Sequence, residues 1–154
     1  MNVASVDEEG VLAGEPRAIR GFDYGLLAGL AVALGYGLAA ELLGLTWGLV
    51  AVGFIGGVVI GGAVTRGAWG RRKHITVRRL QIAAAGIAVG SWMLGVFVAY
   101  LVSQAVFPQA TTPLIDRLSF GGFSSYFAGL FDQIRFIHAA SLAALAFMAW
   151  RGAR

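Results

Sequence analysis

GFIGGVVIGGAVTRGAWGRRKHITVRR, residues 53–79, is the stretch on which the fold turns. Its first half is apolar and punctuated by Gly53, Gly57 and Gly61, four residues apart. Its second half carries Arg66, Arg71, Arg72, Lys73, Arg78 and Arg79 and no acidic residue. An apolar run of about 20 residues is what a hydrocarbon core of roughly 30 Å demands of a helix. Small residues at a spacing of four let two helix backbones approach closely, because lipid supplies no hydrophobic drive and contact must come from packing. A clustered run of Arg and Lys beside such a helix holds that side of the protein in the cytoplasm.

The rest of the chain repeats the pattern. It has 154 residues, is 58% hydrophobic and has a mean hydropathy of +0.75. The apolar residues fall in long runs, which predicts an all-α polytopic membrane protein with four transmembrane helices, over about residues 22–43, 46–65, 80–106 and 134–150. Residues 1–20 hold Asp7, Glu8, Glu9 and Glu15 among breakers and are expected to be a disordered tail, with residues 21–154 forming the membrane domain. The tail is acidic and lacks the pattern of a signal peptide, so the first run is expected to remain as a span. That run carries Gly21, Gly25, Gly29, Ala33 and Gly37, again four apart. A short uncharged turn over residues 43–47 makes the first two runs an antiparallel hairpin, and the two glycine rows are expected to face each other like a zipper and lock it.

Pro108 and Pro113 end the third run. Beyond them Phe120, Phe123, Phe127, Leu130, Phe131 and Ile134 recur at steps of three and four. Two readings stand for this amphipathic segment: a short helix in the membrane interface, or the opening turns of span four.

Charge sets the orientation. The net charge is +4, from 12 Lys and Arg against 8 Asp and Glu. Arg17, Arg20, the six basic residues of the loop, Arg151 and Arg154 fall on one side of the predicted spans, and Arg117 and Arg135 on the other. Both termini and the basic loop are therefore expected in the cytoplasm. Topology accounts for the positive charge without a nucleic-acid partner. Arg in place of Lys, with abundant Ala and Gly, points to a GC-rich bacterial genome and hence to the bacterial inner membrane. Arg66, Arg71, Arg72, Lys73, Arg78 and Arg79 are also candidates for contact with anionic lipid headgroups, each worth roughly 1 kcal/mol near such a surface.

Few residues carry chemistry. Cysteine is absent, which removes disulfides, thiolate metal sites and thiol nucleophiles. Glu41 is the acidic residue within reach of an apolar run, and an ionisable group there is a functional hypothesis by default. Asp132, Arg135 and His138 are spaced by three and share a helix face. Contact of Glu41 with Arg135 or His138 would make an intramembrane polar cluster, serving either as an ion or proton site or as a structural ion pair. His74 and His138 are expected on opposite sides of the membrane and cannot share a metal. Gly35-Tyr36-Gly37 matches the end of the potassium-filter motif TVGYG, but it lies inside a continuous apolar run and reads as coincidence. No serine–histidine–acid set, paired carboxylates or nucleotide motif is present. Catalytic residues, a metal and a cofactor are accordingly not expected.

Several segments together resemble a loosely defined group of small bacterial four-span membrane proteins of unknown function. These are Gly44-Leu45-Thr46-Trp47-Gly48 at the first turn, the Gly53, Gly57 and Gly61 row, Gly70-Arg71-Arg72, Leu80-Gln81-Ile82-Ala83 and residues 143–151. The resemblance spans residues 21–154 and implies the four-span architecture, with no activity attached. The expected function is non-enzymatic, through helix–helix association as a homo-oligomer or as an accessory subunit of a membrane assembly. The alternative is a small oligomeric transporter or channel for an ion or small solute.

Overall fold

A computed structural model describes residues 17–44, 47–70, 78–106, 119–133 and 135–154, with side chains omitted at 131–133 and 135. Arg71, Arg72, Lys73, His74, the two loop prolines and the expected tail up to residue 16 lie outside the described residues. Those described form five α-helices and no strand: α1 (Ala18–Leu42), α2 (Gly48–Trp69), α3 (Arg78–Val106), α4 (Phe120–Gln133) and α5 (Arg135–Gly152). The first three are long and apolar enough to cross a membrane, and α5 is a shorter apolar helix.

Glycine ends two of these helices. Gly44 follows the last turn of α1 at φ +55, and Gly70 follows α2 at φ +60. A side chain clashes with the backbone in that region, so glycine is the natural terminator. The Gly70 N–H also donates to the Arg66 carbonyl, 2.8 Å away. α2 thus runs through Arg66 to Trp69, and Arg66 sits in its last helical turn, not in a loop as expected. The start of α1 holds that turn in helix: the Arg17 N–H donates to the Ala68 carbonyl at 2.9 Å, and Gly67 lets the two backbones touch at Arg20 and Gly21.

The faces of the helices are inverted relative to a water-soluble protein. On α1 the buried stripe is Gly21, Gly25, Gly29, Ala33, Tyr36 and Gly37. Leu26, Leu27, Leu30, Leu34 and Leu38 point outward, 44–70% exposed. A soluble monomer does not show an apolar face of this length to water. In lipid it carries no penalty, and small residues inside allow close backbone approach.

Close contacts set the helix directions. Gly25 meets Ile87 and Gly29 meets Ser91, so α1 and α3 run parallel in register. Gly53, Gly57 and Gly61 meet the carbonyls of Ser141, Leu145 and Ala149, so α2 and α5 also run parallel in register. Gly21 meets Ala68 and Gly56 meets Val32, so α1 and α2 are antiparallel. The α2 glycine row therefore faces α5 and not α1, against the expectation of two rows meeting in the first hairpin. The reason is that α2 has two packing stripes. Gly56, Val64 and Ala68 form the second, and that is the one α1 occupies. The α2–α5 interface is the most extensive in the structure, followed by α1–α3 and α1–α2.

These directions gather the helix ends. Arg17, Arg20, Arg66, Arg78, Arg79, Arg151 and Arg154 lie at one end, where the Thr65 hydroxyl also reaches the Gly152 carbonyl at 3.3 Å. Glu41, Trp47, the start of α5 and α4 lie at the other. α4 is held there by rings: Phe123 sits edge-on to Phe97 and Tyr100 at 5.3 and 5.6 Å between centroids, and Phe127 edge-on to Trp92 at 6.2 Å.

Candidate functional site

The buried stripe of α1 ends in a side chain with a polar head. Tyr36 continues the row of Gly29 and Ala33 and is 1% exposed. Gly95 on α3 makes room for its ring, since a Cβ at that position would stand 3.1 Å from the ring edge. A phenol buried this far from water must find its partners inside the protein.

It finds three, from two other helices. Trp92 Nε1 on α3 donates to the Tyr36 oxygen at 3.2 Å. On α5, Ser141 Oγ is 2.9 Å and His138 Nδ1 is 3.2 Å from the same oxygen. Ser141 Oγ also donates to the His138 carbonyl at 2.9 Å. Each hydroxyl has a single hydrogen, and one assignment puts a hydrogen in every contact. Ser141 gives its hydrogen to the carbonyl, Tyr36 gives its own to Ser141, and the Tyr36 oxygen accepts from Trp92 and from His138 Nδ1–H. His138 is then the Nδ1–H tautomer, with Nε2 left as an acceptor. His138, Ser141, Leu145 and Ala149 form the buried stripe of α5 that packs on α2, so this network lies where three helices meet.

Glu41 stands five residues beyond Tyr36, near the end of α1. The Tyr126 hydroxyl of α4 donates to Glu41 Oε1. Between this pair and the Tyr36 network lies a cavity of about 150 Å³, with Tyr36, Glu41, Tyr126 and His138 on its walls beside Leu49, Val96 and Leu130. Glu41 and His138 thus share one cavity without a hydrogen bond between them. The side chains of Asp132 and Arg135 fall outside the description, so the proposed Glu41–Arg135 contact falls outside it too.

Glu41 and His138 stand out in the sequence, whereas the residues that link them do not. Tyr36 falls within the filter look-alike, although its place in a stripe of small residues marks it as inward-facing. Tyr126 was hidden in a phenylalanine-rich segment. The arrangement differs from a nucleophile and its base, because the Ser141 hydroxyl is directed to a backbone carbonyl and His138 Nδ1 to Tyr36. Among the described residues no three histidine, aspartate or glutamate side chains come together as metal ligands. At the opposite end Arg66, Arg78 and Arg79 are exposed. No protein family, curated protein or solved structure matches this chain.

Proposed function

We propose that the chain is a four-span protein of the bacterial inner membrane that acts without catalysis, through helix–helix association. In this reading α1, α2, α3 and α5 cross the bilayer and α4 lies in the outer interface. Both termini and the arginine-rich end face the cytoplasm, where Arg66, Arg78 and Arg79 contact anionic headgroups with residues 71–73. Assembly follows, either with further copies or as an accessory subunit. The supporting observation is a groove between α1 and α3. Gly86 and Gly90, four residues apart, have open space where a Cβ would stand, and Phe22, Leu26, Leu30 and Leu94 flank them around about 430 Å³. A small-residue face of this kind suits the close approach of a further helix.

Native mass spectrometry and crosslinking in mild detergent, at native expression, test the reading. The expected result is an oligomer or a stoichiometric partner that Gly90→Leu releases. A strict monomer with nothing copurifying would sink it.

The cavity favours a second reading, a small transporter or channel with Glu41 and His138 beside its pathway. Flux into liposomes that falls with Glu41→Gln supports it. Flux that is absent or indifferent to Glu41 removes it.

A further inference from the structure

We propose that the cavity between Glu41 and His138 is a binding site for a small primary ammonium ion, with the Glu41 carboxylate as counter-ion and His138 Nε2 as second acceptor.

The hydrogen count carries the argument. The hydroxyls on or beside the cavity spend their hydrogens within the protein: Tyr126 on Glu41, Tyr36 on Ser141, Ser141 on the His138 carbonyl. Among the described residues that line the cavity, the polar side-chain atoms left over are the second Glu41 oxygen and His138 Nε2, and both are acceptors. A ligand that satisfies them must donate hydrogen bonds. A cation suits the site best, because a carboxylate in a largely apolar pocket gains from a positive partner beside it. The rings of Tyr36 and Tyr126 on the same walls favour a cation further.

The other cation classes fit less well. Alkaline-earth ions take six to eight oxygens or an octahedral shell, and two acceptors cannot replace that shell. The remaining walls, Leu49, Val96 and Leu130, offer nothing to a bare ion but would cover a short alkyl chain. Volume sets the scale. An apolar cavity of about 150 Å³ accepts a molecule the size of benzene, so the ligand has about six heavy atoms. The inference goes beyond helix association and concerns binding, not movement, so it does not require that the protein transport anything.

The experiment is equilibrium binding of radiolabelled butylammonium to the full-length protein in lipid nanodiscs, with 1-butanol as the neutral isostere, and thermal unfolding recorded on the same samples. The expected result is saturable binding that excess 1-butanol does not displace. Glu41→Gln should weaken it by at least about tenfold, as removal of one partner of a desolvated charge pair does, without changing the unfolding temperature. Tyr126→Phe should keep it, since the carboxylate remains. No saturable binding to folded protein, equal competition by 1-butanol, or a folded Glu41→Gln variant that binds as well as the parent would each overturn the proposal. If Glu41→Gln fails to fold, the 1-butanol comparison on the parent protein decides alone. Binding without liposome flux would support the site while removing the transport reading.

Discussion

The Tyr36 oxygen is a buried group that three others depend on. Trp92 Nε1, His138 Nδ1 and Ser141 Oγ all lie within 3.2 Å of it. Tyr36→Phe leaves the ring packed on Gly95 but removes all three of those hydrogen bonds. The expected loss is about 1–3 kcal/mol, the usual penalty for an unsatisfied buried group, read as a lower unfolding temperature in detergent. It should also release His138 from its single tautomer, which nitrogen-15 NMR of the imidazole would report. An unfolding temperature and tautomer identical to the parent would show that the hydroxyl network is not formed. Glu41 and His138 were legible as candidates because charge and titratable groups are rare in apolar runs. Tyr36 and Tyr126 were not, because their roles come from partners 102 and 85 residues away. Nothing local in the sequence distinguishes a tyrosine that closes a network from one that merely packs.

At the scale of the helix, a glycine's value depends on what it touches. A Cβ at Gly57 would press on the Leu145 carbonyl and the Ala149 nitrogen, both backbone atoms that cannot rotate away. Gly57→Ala should therefore destabilise by about 1–3 kcal/mol, as overpacking does. Gly90 has open space, so Gly90→Ala should leave the monomer as stable or raise it by about 0.5–1 kcal/mol through helix propensity. Unfolding of the two variants side by side checks both. Equal effects would mean that the α2–α5 register is wrong. The two glycines are indistinguishable by spacing alone. The α2 pattern showed one row plainly and a second faintly, and which partner took which row depended on how four helices share space. The aromatic face of α4 was legible by periodicity, whereas its seat on Phe97, Tyr100 and Trp92 was not.

For the whole molecule, the alternating directions of α1, α2, α3 and α5 place seven arginines at one end and Glu41 with Trp47 at the other. Arg78 and Arg79 open α3, where positive charge opposes the helix dipole by a few tenths of a kcal/mol or more. That position is unfavourable for the helix itself and fits a role in orientation. The chain has no cysteine, so single cysteines can be introduced on a clean background. Trp47→Cys should react with a membrane-impermeant maleimide in intact cells, and Arg154→Cys only after permeabilisation. The reverse pattern would invert the proposed topology.

Composition and order along the chain were enough to determine that the protein is helical, that it belongs in a membrane, and where its long apolar helices lie. The reason is that solvent preference and the 3.6-residue repeat act residue by residue and leave a local record. Glycine spacing likewise showed that backbones would come close. Which backbones, the tertiary structure alone decided: α2 turns its glycine row to α5 because its second stripe already holds α1. The same is true of the site. A carboxylate on α1, an imidazole on α5 and a phenol on α4 meet at one cavity only because helix directions and registers bring their ends together. Those registers arise from side chains interlocking across distant segments, and such shape complementarity is written in no single stretch of the chain.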